Sequence, residues 1–321
     1  DGIRDLVRSR GLGDVYKRQV LACYALANGQ THWQHTVDHA LISGLVVAGG
    51  VALVSLTSTD LLRGQGALVA LDANGADVWR WSPGVQQVSA PAVFLGPANT
   101  AGALYLTADA TTLVALDLAG NEQGRWSLSV SASRAAPAVT GDTIVVPCRG
   151  PHLLAFSPDG VPRWRFDAPL PTTAWLDKTP LIVEDTVVAV SSTGVVFALN
   201  SVNGAVRWQA NIGPAGKSLS TPFTDNTHIF IGARDGLYAL DFDGNITWHF
   251  STERRITAAP VVTGDVVYTA CHDHRLYALD AASGKELWRY EVERRIEVAP
   301  LILSPDKPCS ESPSPGTGTP S

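Results

Sequence analysis

The chain has 321 residues, of which 45% are hydrophobic and 17% are charged. So low a charged fraction excludes an intrinsically disordered protein, and a net charge of −6 argues against a nucleic-acid-binding protein that neutralises phosphates. The four cysteines form no CxxC pair, so the sequence indicates neither a zinc site nor a redox pair. They are Cys23, Cys148, Cys271 and Cys309.

Residues 1–19 differ from everything that follows them. Eight of these 19 residues are charged, and none of them matches the internal repeat described below. The segment resembles translated sequencing-adapter sequence, so we interpret it as non-native and exclude it from the analysis of the fold.

The stretch from Ala40 to Thr59 carries no charge over 20 residues and is long enough to cross a bilayer. It contains Gly44, Gly49 and Gly50 among β-branched residues, which favours two strands around a turn at Gly49-Gly50. The register of the repeat also places this stretch within a repeat unit. We therefore predict a β-hairpin and no membrane span.

A repeat of about forty residues runs through the rest of the chain. Its clearest copy is RLYALDAASGKELWRY, residues 275–290, and in six of seven copies a glycine precedes the aligned tryptophan by four residues. The Trp126 copy departs from this rule. The aligned tryptophans are Trp33, Trp79, Trp126, Trp164, Trp208, Trp248 and Trp288.

A second element precedes each copy, consisting of a small residue, usually a proline, and an apolar run, as in AAPVVTGD at 258–265. Each unit then shows the alternation and the glycine turns of four short strands, here named A to D. For the unit 257–291 we predict strands at 257–263, 266–273, 275–280 and 286–291. Tandem four-stranded units of this length predict an all-β fold, a β-propeller.

Six complete units span residues 36–292. Residues 20–35 supply only strands C and D of another unit, and residues 296–303 supply only a strand A. These pieces predict a truncated seven- or eight-bladed propeller over residues 20–303. Residues 304–321 are rich in Pro and Ser and are typical of a linker or tail. Since Cys148 and Cys271 fall in strand B of units three apart, we predict no disulfide.

The ALD-x-x-x-G-x-x-x-W core and the preceding Ala-Pro strand resemble the pyrroloquinoline-quinone (PQQ)-type propeller repeat, over roughly residues 20–303. In that family the repeat tryptophan docks between neighbouring blades. An indole buries a large apolar area and needs one acceptor for its N–H, which a neighbouring backbone can supply. We therefore expect the seven tryptophans to hold adjacent blades together.

Within this family the chain most resembles the BamB-like assembly-factor lipoproteins of the bacterial outer membrane. That resemblance implies a non-enzymatic binding scaffold for protein–protein interaction, located in the periplasm or otherwise outside the cytoplasm. It also implies no cofactor, and we expect a monomer. A third possibility is the extracytoplasmic sensor domain of a membrane kinase.

The second possibility, after the binding scaffold, is a fragment of a PQQ-dependent quinoprotein dehydrogenase. Such enzymes bind the quinone and Ca²⁺ at the propeller centre, use a catalytic Asp and carry adjacent cysteines. The present sequence has no Cys-Cys pair. Its aspartates at Asp72, Asp117, Asp241 and Asp280 are repeat positions and need no catalytic explanation.

Cys271-His272-Asp273-His274 is a candidate metal site, because alternate residues of a strand point to one face. The segment aligns, however, with SSTG at 191–194 and ARDG at 233–236, which connect strands B and C in other units. We therefore predict an exposed turn and no metal.

The loop from strand D to strand A provides the candidate binding site. The residue five positions before the recurring proline is basic in three consecutive units, and Trp175 lies alongside. Arginine offers paired donors to carboxylates and tryptophan offers rigid contact area. The positions are Ala40, Gln86, Ala132, Trp175, Lys217, Arg255 and Arg295.

We predict that Trp175, Lys217, Arg255 and Arg295 bind a protein or peptide partner, with an acidic peptide as a candidate. The alternative is ordinary surface charge balanced by Glu253, Glu293 and Glu297.

Overall fold

The computed structural model describes residues 18–24, 31–38, 40–48, 50–58, 65–95, 102–212 and 219–292. All regular secondary structure within these ranges is β-strand, arranged as six four-stranded antiparallel sheets and one two-stranded sheet. In each four-stranded sheet, consecutive strands are neighbours. Each of these sheets is one blade, and the prediction of an all-β, multi-blade propeller is confirmed.

The strands of the two-stranded sheet and of the first three blades are as follows. The two-stranded sheet contains β1 (Arg18–Tyr24) and β2 (Thr31–Asp38). Blade 1 contains β3 (Ala40–Ala48), β4 (Val51–Ser58), β5 (Ala67–Leu71) and β6 (Asp77–Trp81). Blade 2 contains β7 (Ala92–Phe94), β8 (Ala103–Ala108), β9 (Thr112–Asp117) and β10 (Glu122–Ser127). Blade 3 contains β11 (Ala138–Val139), β12 (Ile144–Pro147), β13 (His152–Phe156) and β14 (Pro162–Asp167).

The remaining three blades repeat the same order of strands A to D. Blade 4 contains β15 (Leu181–Val183), β16 (Thr186–Val190), β17 (Val195–Asn200) and β18 (Val206–Asn211). Blade 5 contains β19 (Phe223–Thr224), β20 (Ile229–Ala233), β21 (Gly236–Leu240) and β22 (Ile246–Ser251). Blade 6 contains β23 (Val261–Thr263), β24 (Val266–Ala270), β25 (Arg275–Asp280) and β26 (Glu286–Glu291).

Blade 6 shows how closely the strand pattern follows the sequence. Strands C and D lie at the predicted residues, whereas strand A begins at Val261 instead of 257 and strand B ends at Ala270 instead of 273. Strand A starts only after Pro260, which has no N–H to contribute to a ladder. Strand B ends early because the next residues form the turn into strand C.

The described residues of the uncharged stretch, 40–48 and 50–58, form a hairpin in blade 1, as predicted. β3 pairs antiparallel with β4, from Ala40 opposite Ser58 to Ala48 opposite Val51. Gly50 has a φ of +80°, a conformation that suits a tight hairpin connection. Within the described residues there is no helix of the length and hydrophobicity that crossing a membrane requires.

The apolar core lies between the blades. Five clusters of buried side chains each join two neighbouring blades, and a sixth joins blade 1 to Leu21 of the two-stranded sheet. Between blades 3 and 4, for example, Leu153 and Phe166 pack against Phe197 and Leu199. A single blade has two faces to bury, so stacking of neighbours buries what one unit cannot.

The repeat tryptophans hold neighbouring blades together, as expected. The indole of Trp208 in blade 4 packs over Gly244 in the C–D turn of blade 5, where an added Cβ would lie 2.6 Å from its Cε3. Its Nε1 donates to the carbonyl oxygen of Phe242 in the same turn at 2.6 Å. Five indoles donate in this way to the next unit, those of Trp33, Trp79, Trp164, Trp208 and Trp248.

Two tryptophan copies differ from the rest. The copy with Trp126 lacks the glycine four residues earlier, and Gly120, six residues before, takes the turn position and packs against Trp79. Trp288 has a side chain 45% exposed, because it lies in the last described blade and has no following blade among the described residues.

The two-stranded sheet is the predicted pair of strands C and D, and it precedes blade 1. Its first strand begins at Arg18, two residues inside the segment that we set apart as non-native. The predicted strand at 296–303 and the predicted tail lie outside the described residues.

Candidate functional site

In blades 2, 3, 4 and 6 the D–A loop that leads into the blade meets the blade's B–C turn, on a side of the propeller here called the loop face. In blade 4 the amide of Ser192 donates to the carbonyl oxygen of Trp175 at 2.8 Å. In blade 6 the amide of His272 donates to the carbonyl oxygen of Arg255 at 3.1 Å. These equivalent hydrogen bonds place Trp175 and Arg255 at the same position of two blades, and both side chains are exposed.

The next residue of each loop ties the blade to its predecessor. The amide of Leu176 donates to the carbonyl of Gly150 in blade 3 at 3.0 Å, and the amide of Ile256 donates to Ala233 in blade 5 at 2.8 Å. Both side chains are buried. An exposed residue and a buried one therefore alternate at a rigid joint between blades, which holds the exposed residue in place.

This hydrogen-bond pattern corrects the register that spacing to the proline predicts. In blades 2 and 3 the carbonyls that accept from the B–C turn belong to Gln87 and Ser131. The positions five residues before the proline are Gln86 and Ala132. Gln86 lies one residue before the accepting residue of its loop, and Ala132 lies one residue after it. The prediction was wrong there because the loop varies in length between this joint and the proline.

Trp175 lines a cavity of about 660 Å³ on the loop face of blade 4. Its indole is 48% exposed, yet its backbone is fixed, since its amide also donates to Ser192 Oγ at 3.0 Å. The other lining residues include Thr172, Thr173, Lys178 and Leu219. An exposed indole on a hydrogen-bonded backbone suits a contact role, because tryptophan offers a large contact area.

Arg255 lines a second cavity, of about 750 Å³, between blades 5 and 6. We call it the arginine pocket. It is lined by Arg234, Glu253, Arg254, Arg255, His272 and His274. Arg234 comes from the B–C turn of blade 5, the two histidines come from the B–C turn of blade 6, and the other three residues come from the loop between these blades.

The carboxylates around the arginine pocket are bound to other groups. Glu253 pairs with Arg275 at 3.4 Å. Asp235 accepts from the hydroxyl of Tyr238 at 2.8 Å, and Asp273 accepts from that of Tyr277 at 2.6 Å.

The three guanidinium groups of the pocket are left without an acidic partner. Among the described residues, Arg234, Arg254 and Arg255 form no ion pair. Arg255 instead donates from Nε to Nδ1 of His272 at 3.4 Å, and His272 Nε2 contacts Thr257 Oγ1 at 2.8 Å. The predicted balancing by Glu253 does not occur at Arg255, and Glu293 and Glu297 lie outside the described residues.

The segment 271–274 forms the predicted turn, but it is only partly exposed. Cys271 and His272 are buried, and only His274 is exposed. Burial raises the pKa of the Cys271 thiol to about 11. Among the described residues no three His, Cys, Asp or Glu side chains group as metal ligands would.

The repeat aspartates serve the C–D turns. Oδ1 of Asp241 accepts hydrogen bonds from the amides of Asp243 and Asn245, and Asp72 caps its turn in the same way. These bonds hold the pKa of Asp241 and of Asp72 below the usual range, for Asp241 chiefly through the side chain of Asn245 and for Asp72 chiefly through the amide of Ala76. A structural role therefore accounts for these positions.

The structure brings only part of the predicted set together. Trp175 and Arg255 share the loop face but line separate cavities. Lys217 and Arg295 lie outside the described residues. Arg234 is a pocket residue that sequence reasoning missed. Its position in the ARDG turn was visible, but only the joint of Ile256 to Ala233 shows that this turn meets the next loop.

Comparisons with known proteins agree with this architecture. A family model described as outer membrane protein assembly factor BamB matches residues 17–123, 64–225 and 216–310. A curated protein of that name from Moranella endobia is 29% identical over 124 residues, which are 33% of this chain and 32% of that protein. The matched part thus spans about a third of the curated relative.

Solved structures of similar fold include BamB from Moraxella catarrhalis, with a TM-score of 0.67, 17% identity and coverage of 94% of each chain. A europium-containing methanol dehydrogenase has a TM-score of 0.67 at 12% identity, covering 96% of this chain and 80% of that one. At such identities the two structures show the fold alone. The family model, which covers most of the chain, shows more: this protein belongs to the family of the outer membrane protein assembly factor BamB.

Proposed function

We propose that this protein is a non-enzymatic scaffold that binds a protein partner in outer-membrane protein assembly and works outside the cytoplasm. The observation that carries the proposal is that the residues which hold the fold together differ from those exposed on the loop face. The repeat tryptophans, glycines and aspartates are occupied in holding blades and turns together. The exposed Trp175 and the unpaired arginines, which the repeat does not need, lie on the loop face.

Tryptophan and arginine are the side chains that contribute most to protein–protein binding energy. Trp175 and Arg255 are both held by backbone hydrogen bonds to a B–C turn, so their backbones are ordered before a partner binds. Our proposed contact set is Trp175, Lys217, Arg255 and Arg295, as the sequence pattern predicts, and we add Arg234 to it.

Complementation tests this proposal. The chain, fused to an export signal and lipid anchor, would be expressed in a bacterium that lacks its own BamB. We expect restored levels of outer-membrane proteins, and we expect Trp175→Ala combined with Arg255→Glu to abolish that restoration. Arg80→Glu, an exposed charge reversal on strand D of blade 1, is the matched control. Exported, folded protein that restores nothing would contradict the proposal.

The second candidate is a quinone-dependent dehydrogenase, which the fold of the methanol dehydrogenase favours. Two observations favour the scaffold instead. The aspartates of the repeat cap turns, and Cys148 and Cys271 lie in blades 3 and 6, so they are not adjacent. Dye reduction with the quinone, Ca²⁺ and a panel of alcohols and aldoses tests this choice. Reproducible turnover would overturn the non-enzymatic proposal.

A further inference from the structure

The geometry points to the arginine pocket as a clamp for a short acidic peptide segment of the partner. This inference rests on the proposed scaffold function and deepens it by naming the chemistry of what is bound. The segment would place at least two carboxylates in the pocket, one against Arg234 and one against Arg254 and Arg255.

Charge is the first argument. The chain carries a net charge of −6, so three unpaired guanidinium groups around one concavity depart from its background. The nearest acids contact other groups: Glu253 pairs with Arg275, Asp235 accepts from Tyr238 and Asp273 accepts from Tyr277. Unsatisfied arginines facing a cavity call for an anionic ligand.

The type of donor also favours carboxylates. Three backbone amides at or beside the pocket are already used. The amides of His272 and Ile256 donate to the carbonyls of Arg255 and Ala233, and that of Val292 donates to His274. The guanidinium groups that line the pocket are planar paired donors, and this geometry matches that of carboxylates.

The arrangement also indicates the form of the ligand. The guanidinium groups come from two elements that line an open pocket of about 750 Å³, Arg234 from a turn of blade 5 and Arg254 and Arg255 from the next loop. A chain with several acidic side chains can pair with groups on both elements at once. The negative net charge disfavours a large polyanionic surface such as a membrane or nucleic acid, because long-range repulsion acts on the whole molecule.

His272 is a positioning residue in this site. It is 7% exposed, and its Nδ1 lies 3.4 Å from Nε of Arg255. This contact and the backbone bond between the same two residues hold Arg255 against His272.

The test is direct binding by the full chain, measured as fluorescence anisotropy of a labelled twelve-residue peptide of alternating Glu and Ser. The matched peptide has Gln in place of Glu. We expect the acidic peptide to bind and its affinity to fall as the salt concentration rises. The variant Arg234→Glu plus Arg255→Glu should lower that affinity about tenfold or more. Arg234→Lys plus Arg255→Lys keeps the charge but removes the paired donors, so we expect a smaller loss.

The control reverses two exposed charges away from the pocket, Arg80→Glu on blade 1 and Arg149→Glu on the loop face of blade 3. We expect binding within about twofold of the native chain, because no direct contact is lost. Equal binding of the Gln peptide, or unchanged binding by the pocket variant with an unchanged melting temperature, would overturn the clamp. So would pocket-dependent binding to phosphatidylglycerol vesicles without peptide binding. Complementation that succeeds while the acidic peptide fails would leave the scaffold function standing and the clamp refuted.

Discussion

A single pair of residues, a tryptophan and a glycine of the next unit, explains the strictest feature of the repeat. Gly244 has a φ of +87°, and its missing side chain leaves the space that Trp208 occupies. Any Cβ there would meet the indole at 2.6 Å. The glycine is thus required twice, once by its own backbone and once by its neighbour's side chain.

Gly244→Ala should therefore destabilise the protein more than Gly264→Ala. Both glycines have a positive φ, but a Cβ on Gly264 would meet nothing within 4 Å. We expect Gly264→Ala to cost about 1 kcal/mol from backbone strain alone, and Gly244→Ala about 1–3 kcal/mol more from overpacking. Urea denaturation of both variants measures the difference. Equal losses of unfolding free energy in the two variants would show that the indole of Trp208 moves aside at no cost.

The two buried thiols allow a prediction about reactivity. Burial raises the pKa of Cys148 to about 12 and that of Cys271 to about 11. Because the thiolate is the reactive form, both should resist a thiol reagent at pH 8 in the native protein. In the variant Cys23→Ser, Cys309→Ser we expect no fast-reacting thiol in the native state and two after unfolding.

These raised pKa values also affect stability at high pH. A thiol whose pKa is raised on folding stabilises the native state fully below the unfolded value, near 8.5, and this contribution is lost as pH rises through 11 to 12. Stability should therefore fall above about pH 8.5, and a Cys148→Ala variant should lose part of that pH dependence.

The reactivity prediction has its own contrary outcome. Rapid labelling of the native variant Cys23→Ser, Cys309→Ser at pH 8 would contradict the burial of Cys148 and Cys271.

At the scale of the element, each blade is an antiparallel meander, and the repeat indole of blades 1 to 5 packs against the next blade. Trp248 of strand D in blade 5 packs over Gly284 and donates to the carbonyl of Ala281 at 3.0 Å. Trp175, by contrast, lies in a loop with its side chain 48% exposed.

We predict that Trp248→Ala lowers the free energy of unfolding by about 3–5 kcal/mol, as large aromatic truncations in cores do. Trp175→Ala should cost far less, because its indole joins no two blades. Paired denaturant titrations followed by circular dichroism measure both. Similar losses in the two variants would mean that the loop tryptophan is also structural.

At the scale of the whole molecule, the C–D turns repeat an aspartate cap around the ring. Hydrogen bonds to the turn lower the pKa of Asp72, Asp117, Asp241 and Asp280. In blade 4 the uncharged Asn200 performs the same role, its Oδ1 accepting from the amides of Val202 and Asn203.

These caps predict loss of stability in acid. A carboxyl group whose pKa is lowered on folding stabilises the native state above its unfolded value, near 3.9, and this contribution is lost as pH falls through the folded value. The urea midpoint should therefore change little between pH 7 and about 5, and fall below about pH 4. Asp241→Asn should flatten this acid dependence, since Asn200 shows that an amide can cap the turn. A steeper dependence in that variant would contradict the assignment.

Strand order, blade units and the hairpin at 40–58 could be predicted from the sequence, because alternation and turn glycines are local properties that each copy of the repeat displays again. The role of Trp248 could be predicted too, since a large aromatic residue at a fixed repeat position needs a partner in the next unit. The start of strand A at Val261 required only the chemistry of Pro260.

The site depended on the tertiary structure. Spacing to a proline placed Arg255 and Trp175 on the loop face, but it misplaced Gln86 by one residue, because the loop length differs between blades. It could not pair Arg234 with Arg255, since they are 21 positions apart in the sequence and only the packing of blade 5 against blade 6 joins them. A sequence repeat determines what every blade has in common, whereas a pocket between two blades depends on residues in which those blades differ and on the contact that brings them together.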